Sequence, residues 1–243
     1  MTNSASCVAT EGPVELQLRP ATLADASGIA RVHWLGWQAT YPGILPSTEI
    51  ERHTLANRVT NWHRMLLTPS STAVVWVALS GAEVIGFASG GAFRIEKASP
   101  GVAAGLSAPL TVVNDGDGDG DGDGDGDGDG ELNALYLLTA WHGQGIGRRL
   151  FAACARDLHA AGFHAVRCWV LHGNPAAGFY ERLGGVQQGT KTYAAVGASV
   201  LERGYRFTLP CEGWPAEVAE VAAALDCPAP QPTLGPPLTS CCL

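Results

Sequence analysis

Basic residues are not in excess in this sequence: Lys and Arg total 15 against 23 Asp and Glu, for a formal charge of −8. A nucleic-acid-binding surface would show a basic excess, so none is expected. No cluster of Lys and Arg suits an anionic membrane surface either. Long apolar runs are missing, which excludes a bilayer-spanning helix. Residues 1–11 have neither a basic start nor an apolar segment, so a secretory signal is not expected. The seven cysteines include no Cys-x-x-Cys, and Cys241 and Cys242 are adjacent. Such a set reads as free thiols in a reducing compartment, cytoplasmic with a nuclear location left open. The last four residues do not begin with Cys and form no prenylation box. Cys168 and His172 share a strand face, but two ligands make a poor zinc site, and no metal is expected.

What acidity there is lies in one place. Residues 115–130 are eight consecutive Asp-Gly pairs; without those eight aspartates, 15 acidic residues face 15 basic ones. The repeats have no apolar surface to bury, repel one another and carry glycine at alternate positions. Residues 97–130 therefore read as a low-complexity, disordered insertion. Calcium binding is the rival, because alternating Asp resembles the start of an EF-hand loop. The distant glutamate and flanking helices of that loop are absent, so the insertion reading is preferred.

The most informative stretch follows the insertion. An apolar strand-like run over residues 132–138 leads into His142-Gly-Gln-Gly-Ile-Gly-Arg-Arg-Leu150, which opens a helix-like run to Ala161. Glycines at 143, 145 and 147 permit a tight turn and bring N–H groups close to a ligand. At a helix start those donors favour an anion such as a phosphate or pyrophosphate. A Walker loop would need Gly-Lys-Ser/Thr, but Arg148 and Arg149 follow Gly147. A dinucleotide fingerprint would need glycine where Leu150 stands. A ligand-free strand-to-helix turn is the remaining bland alternative.

Downstream stands Asn174-Pro-Ala-Ala-Gly-Phe-Tyr-Glu-Arg-Leu-Gly-Gly185. In order and spacing, the two stretches together resemble the acyl-CoA-binding motifs of the GNAT superfamily of N-acetyltransferases, over roughly residues 14–209. Gly145 and Gly147 fit the loop pattern, His142 stands where the family usually has Arg or Gln, and Tyr180 lies one residue closer to Asn174 than in many relatives. The resemblance implies a mixed α/β fold: a central, mostly antiparallel sheet, flanking helices and a splayed parallel strand pair. It also implies acetyl-CoA as co-substrate.

Along the chain, residues 1–13 read as disordered and residues 15–19 as a first strand. Thr22 is expected to cap a helix reaching Tyr41, with Asp25 near its start. Trp34, Trp37 and Tyr41 recur on it at helical spacing: core packing by pattern alone, an acceptor-pocket border by the resemblance. A second helix is expected from its cap, Ser47, to before Pro69, with Leu55, Val59, Trp62 and Leu66 on one stripe. Strands at 72–79 and 83–88 flank a Ser80-Gly81 hairpin, and Gly90 and Gly91 are expected to loosen the second. A strand from Glu131 to Leu138, the loop, a helix buried through Ile146, Leu150, Cys154 and Leu158, and a strand at 165–171 form a parallel unit. Asn174 and Pro175 should open a shorter helix, followed by strands at 186–192 and 199–209. Residues 211–243 read as a proline-rich tail with one short helix near Val218, Val221 and Leu225.

Acetyl transfer to an amine sets chemical requirements. The loop, with His142, Gly143, Gln144, Gly145, Ile146, Gly147 and Arg148, would hold the pyrophosphate. By the resemblance, Leu135, Tyr136 and Leu137 offer backbone contacts to the acyl-pantetheine arm, and Asn174 lies on the cofactor side. An amine whose conjugate acid has a pKa near ~10 must lose a proton. Glu131, eleven residues before His142, stands where some members of the family place a base. Tyr180 matches the family tyrosine that protonates the departing thiolate. The expectation is direct transfer from acetyl-CoA to a primary amine of a small molecule or peptide. A longer acyl-CoA substrate and a non-catalytic acyl-CoA sensor are the alternatives; the oligomeric state is left open.

Overall fold

The computed structural model describes residues 16–93 and 128–209. The expected N-terminal segment 1–13, most of the insertion and the tail 211–243 lie outside them. Seven strands form one sheet: β1 (Leu16–Pro20), β2 (Val74–Ser80), β3 (Glu83–Ala92), β4 (Asp129–Leu137), β5 (Ala165–Leu171), β6 (Val186–Ala195) and β7 (Ala198–Thr208). Their order is β1-β2-β3-β4-β5-β7-β6. Every pairing is antiparallel except β4 with β5. The fold class expected from the resemblance is the one observed.

Helices cover both faces of the sheet, which is why its central strands are apolar on both sides. Helix α1 (Ala26–Thr40) and helix α3 (Leu55–Leu67) cover one face. There Ile29, Val32 and Trp62 pack with Val77, Leu79 and Phe87 of β2 and β3. Helix α4 (Ile146–Ala160) covers the other, its Ile146, Leu150, Cys154 and Leu158 meeting Trp76, Ala78 and Ile85.

Several local expectations are corrected. The single helix beginning at Ser47 is two: α2 (Ser47–Arg52) and α3, separated at His53 and Thr54. Pro46 holds the cap position of α2, Ser47 is its first helical residue, and the Thr54 side chain caps α3 by accepting from Asn57 N at 3.2 Å. Gly90 and Gly91 do not loosen β3 but belong to it. A Cβ on Gly90 would stand 2.7 Å from the Glu131 carbonyl oxygen and 3.1 Å from Cys154 Sγ, so glycine there permits close approach of β4 and α4. Helix α5 (Ala177–Arg182) starts later than expected; Asn174 Oδ1 accepts from Ala176 N at 2.9 Å in the turn before it.

The insertion also ends earlier than its repeat. Strand β4 begins at Asp129, so the eighth Asp-Gly pair is part of the sheet. Asp129 is 2% exposed and accepts from Arg167 Nε at 2.6 Å and from Arg206 Nε and Nη2 at 2.9 and 3.0 Å. One carboxylate thus ties β4 to β5 and β7. Burial would raise its pKa, but the bonds from Arg206 and Arg167 outweigh that and hold it below the usual carboxylate range.

Candidate active site

Strands β4 and β5 pair only where Asp129, Gly130 and Glu131 face Ala165, Val166 and Arg167. Beyond Glu131 they part, while β4 stays bonded to β3 as far as Leu137 and β5 to β7 as far as Leu171. Each therefore presents one edge of backbone groups to the gap. That gap opens into a cleft of about 1050 Å³. The register on β3 shifts between Ser89 and Gly90, which face Ala134 and Leu132, so Asn133 is an extra residue in β4. Such a bulge bends the strand and re-aims its side chains. Leu132, Leu135 and Leu137 consequently pack toward α4, and Ala134 and Tyr136 toward α1.

The glycine loop closes one end of the cleft. Gly143 and Gly145 adopt φ of +75° and +76°, left-handed conformations that favour glycine. The first α4 bond outside the helix's own ladder runs from Arg149 N to Gly145 O. The N–H groups of Gly145, Ile146, Gly147 and Arg148 are thereby left for a ligand at the positive end of the helix dipole. Gly147 has ordinary helical geometry; a Cβ there would stand 3.6 Å from the Phe179 ring and 3.8 Å from Leu135. His142 donates from Nε2 to Leu137 O at 2.9 Å, tying the loop to the end of β4. Gln144 is exposed, places its amide 3.4 Å from Ala140 O and does not line the cleft. Leu135, Tyr136, Leu137, His142, Gly143, Gly145, Ile146, Gly147, Arg148 and Asn174 all do.

Tyr180 projects from α5 into the same cleft. It is 8% exposed and sits among Phe151, Phe179, Tyr205 and Phe207. Burial pushes its phenol well above the ordinary range, so it holds its proton at neutral pH. Glu131 lies at the paired end of β4, opposite Arg167, and is not among the residues that line the cleft.

A family comparison adds to this geometry. The profile of the acetyltransferase (GNAT) family matches residues 37–185. The chain belongs to that family. YuaI of Bacillus subtilis (strain 168), an uncharacterized N-acetyltransferase, is 28% identical over 199 residues, 82% of this chain and 92% of that protein. Among solved structures, the PaiA N-acetyltransferase of Thermoplasma acidophilum in complex with coenzyme A is similar with a TM-score of 0.52. It is 16% identical over 78% of this chain and 98% of that one. YncA from Salmonella typhimurium, with its cofactor acetyl-CoA, is similar with a TM-score of 0.54 at 18% identity over 83% and 98% of the two chains.

The chain is thus an acyl-CoA-dependent N-acetyltransferase with acetyl-CoA as co-substrate. The site suits that molecule: a strand edge of amide groups for an amide-rich arm, and N–H donors at a helix start for a pyrophosphate. Among the described residues, no group of three or more His, Cys, Asp or Glu is placed to hold a metal ion. No helix among them is long and apolar enough to cross a membrane.

The other half of the acetyltransferase cleft is walled by side chains. Trp37 and Tyr41 line it; Trp34 does not. Tyr41 and Tyr136 share a hydrogen bond between hydroxyls at 3.0 Å. Sequence reasoning passed over His33, Arg58 and Glu202, all buried and all in the cleft wall. His33 Nδ1 accepts from Trp62 Nε1 at 3.2 Å, and burial holds its pKa well below the usual value, so it is neutral. The Arg58 guanidinium lies 4.6 Å over the Trp37 ring. Glu49, fully buried, clamps α2 to the β6–β7 turn by accepting from Tyr193 Oη at 2.7 Å and Val196 N at 2.8 Å. None of these residues carries a local signature, because their partners come from distant parts of the chain.

Proposed function

We propose that this acetyltransferase, over residues 14–209, moves the acetyl group of acetyl-CoA directly onto a primary amine within one ternary complex. The observation that carries the reading is the single cleft, with backbone edges and the glycine loop at one side, an aromatic wall at the other and Tyr180 in its lining. The amine nitrogen attacks the thioester carbonyl, the carbon–sulfur bond breaks, and the Tyr180 phenol protonates the departing thiolate. Cys168 lines the cleft, but burial raises its thiol far above the ordinary range. It is no activated nucleophile for an acyl-enzyme, which favours direct transfer. Trp37 and Tyr41 would border the acceptor amine.

A panel of small amines and peptides incubated with acetyl-CoA tests this, read by thiol release and product mass. Initial rates at varied concentrations of both substrates should give intersecting double-reciprocal lines. Parallel lines would signal an acyl-enzyme. Acetyl-CoA binding without turnover of any acceptor would leave a sensor in place of an enzyme.

A further inference from the structure

Direct transfer, on which this inference rests, requires a group to receive the acceptor's proton, and Glu131 is off the cleft wall. Glu202 is on it. It stands on β7 with Leu171 of β5 on one side and Lys191 of β6 on the other. That places it beside the open end of the β4–β5 gap. Its side chain is 6% exposed, and its Oε2 lies 3.4 Å from Lys191 Nζ, itself 3% exposed. Lys191 Nζ is in turn 4.4 Å from the centroid of the Trp169 ring, another part of the cleft lining. We propose that Glu202, and not Glu131, is the catalytic carboxylate that binds the acceptor's ammonium group and takes its proton.

The surroundings suit that role. The groups facing Glu202 are Lys191 from β6 and the Tyr41 phenol from the end of α1, whose pKa the carboxylate helps to raise. Beside the glutamate, Leu171 is apolar. Burial pushes the Glu202 pKa up, and Lys191 offsets only part of that. A raised carboxylate is better matched to proton transfer near neutral pH than an ordinary one. An incoming ammonium supplies the hydrogen-bond donor that a buried carboxylate calls for, and its charge is held against the aromatic wall of Trp37 and Tyr41. One ammonium proton passes to Glu202 and then to solvent. The nitrogen pair forms the new C–N bond as the C–S pair leaves with sulfur. The second nitrogen proton, lost as the amide forms, returns through solvent to Tyr180, whose own proton has gone to the thiolate.

The test uses the full chain, an amine that the parent acetylates, and kcat/KM measured across pH. In E202Q, kcat/KM at neutral pH should fall by about 10²–10⁴-fold. It should then climb roughly tenfold per pH unit as free amine becomes available in solution. Acetyl-CoA affinity by calorimetry should stay within twofold. Lys191→Met removes the cation that holds the carboxylate charged, so the acid limb of its profile should move to higher pH; an ion pair that is only structural would lower the melting temperature and leave the limb in place. Should E202Q be unstable because Lys191 is left buried alone, the double variant E202Q/K191M restores a neutral pair and carries the same expectation. Activity of the double variant within threefold of the parent, an unmoved limb in Lys191→Met, or the full loss appearing in E131Q would each overturn the assignment. A parent that binds acetyl-CoA but acetylates no amine would overturn the transferase reading and this inference with it.

Discussion

The two sides of the cleft are built from different materials. The cofactor side is largely backbone: the free edge of β4, the N–H groups ahead of α4 and the glycines at 143 and 145 with φ near +75°. All of it comes from one continuous stretch, residues 132–148. The facing wall is side chains from four elements, α1, α3, β6 and β7, and from Tyr41 just past α1, with His33, Trp37, Arg58, Tyr193 and Glu202 spread over most of the chain. A site made of backbone writes itself locally, because few residue types tolerate its conformations. One made of side chains from distant elements writes nothing local.

The largest expected effect probes the point where the two sides meet. Tyr180→Phe removes one hydroxyl and keeps the ring that packs against Phe151, Tyr205 and Phe207. If the phenol protonates the leaving thiolate, kcat should fall by about 10²–10⁴-fold. Acetyl-CoA affinity should barely change, the pattern of an interaction made in the transition state. Thiol-release kinetics with one acceptor reads both. A kcat within threefold of the parent would remove Tyr180 from the mechanism, and a matching loss of affinity would make it a binding residue.

That asymmetry also explains what was legible in the sequence. The glycine loop and the α4 stripe could be read because each sits in a local pattern that physics constrains. The β4 bulge at Asn133 could not, since it shows only as a register shift against β3. Nor could the break at His53 and Thr54, since the apolar stripe from Leu55 to Leu66 lies wholly in α3 and says nothing of where the helix before it ends. Glu131 came from the resemblance, which places a base eleven residues before His142; the sheet puts it where the pairing of β4 with β5 ends, opposite Arg167. Glu202 was passed over because its partners, Lys191 and Leu171, meet it only through the sheet.

Next in size is a test of the backbone side alone. Gly147→Val places a side chain where Phe179 and Leu135 leave room for its Cβ, so the helix should form while the methyl groups enter the cleft. Acetyl-CoA binding by calorimetry should weaken at least about tenfold, or roughly 1.4 kcal/mol. Gly145→Val should bind as poorly but also lose stability, because valine is strained at a φ of +76°. Unchanged affinity in Gly147→Val would mean that the pyrophosphate is not held at this loop.

Acid should act on the scaffold around the cleft. Bonds from Arg19 hold Asp25 below the usual carboxylate range, and hydrogen bonds from Val196 N, Tyr193 and His53 overcome burial to do the same for Glu49. Asp129 behaves likewise. A carboxylate lowered in the folded state adds stability that is complete above its unfolded pKa, near ~4, and is lost as pH falls through the folded value. Denaturant midpoints should therefore drop below about pH 4. In Asp129→Ala that drop should be shallower, and stability at neutral pH lower by about 3 kcal/mol. This is the low end for breaking a buried ion pair, because Arg167 and Arg206 are 22% and 32% exposed and can turn to water.

The smallest effect belongs to the rest of the acidic repeat. Residues 115–127 contain no apolar side chain to bury, so replacing them with a Gly-Ser linker of equal length should change stability by less than about 0.5 kcal/mol. In a chain of this size that is under about 2 °C in melting temperature. Carrying the same replacement through residue 130 removes Asp129 and with it the bonds to Arg167 and Arg206. That longer exchange should lower the melting temperature as Asp129→Ala does. Restoring the single aspartate at 129 within the longer linker should recover the parent value. Equal melting temperatures for the two linkers would show that the eighth aspartate contributes no more than the other seven. A fall already present with the shorter one would place a structural role inside the repeat itself.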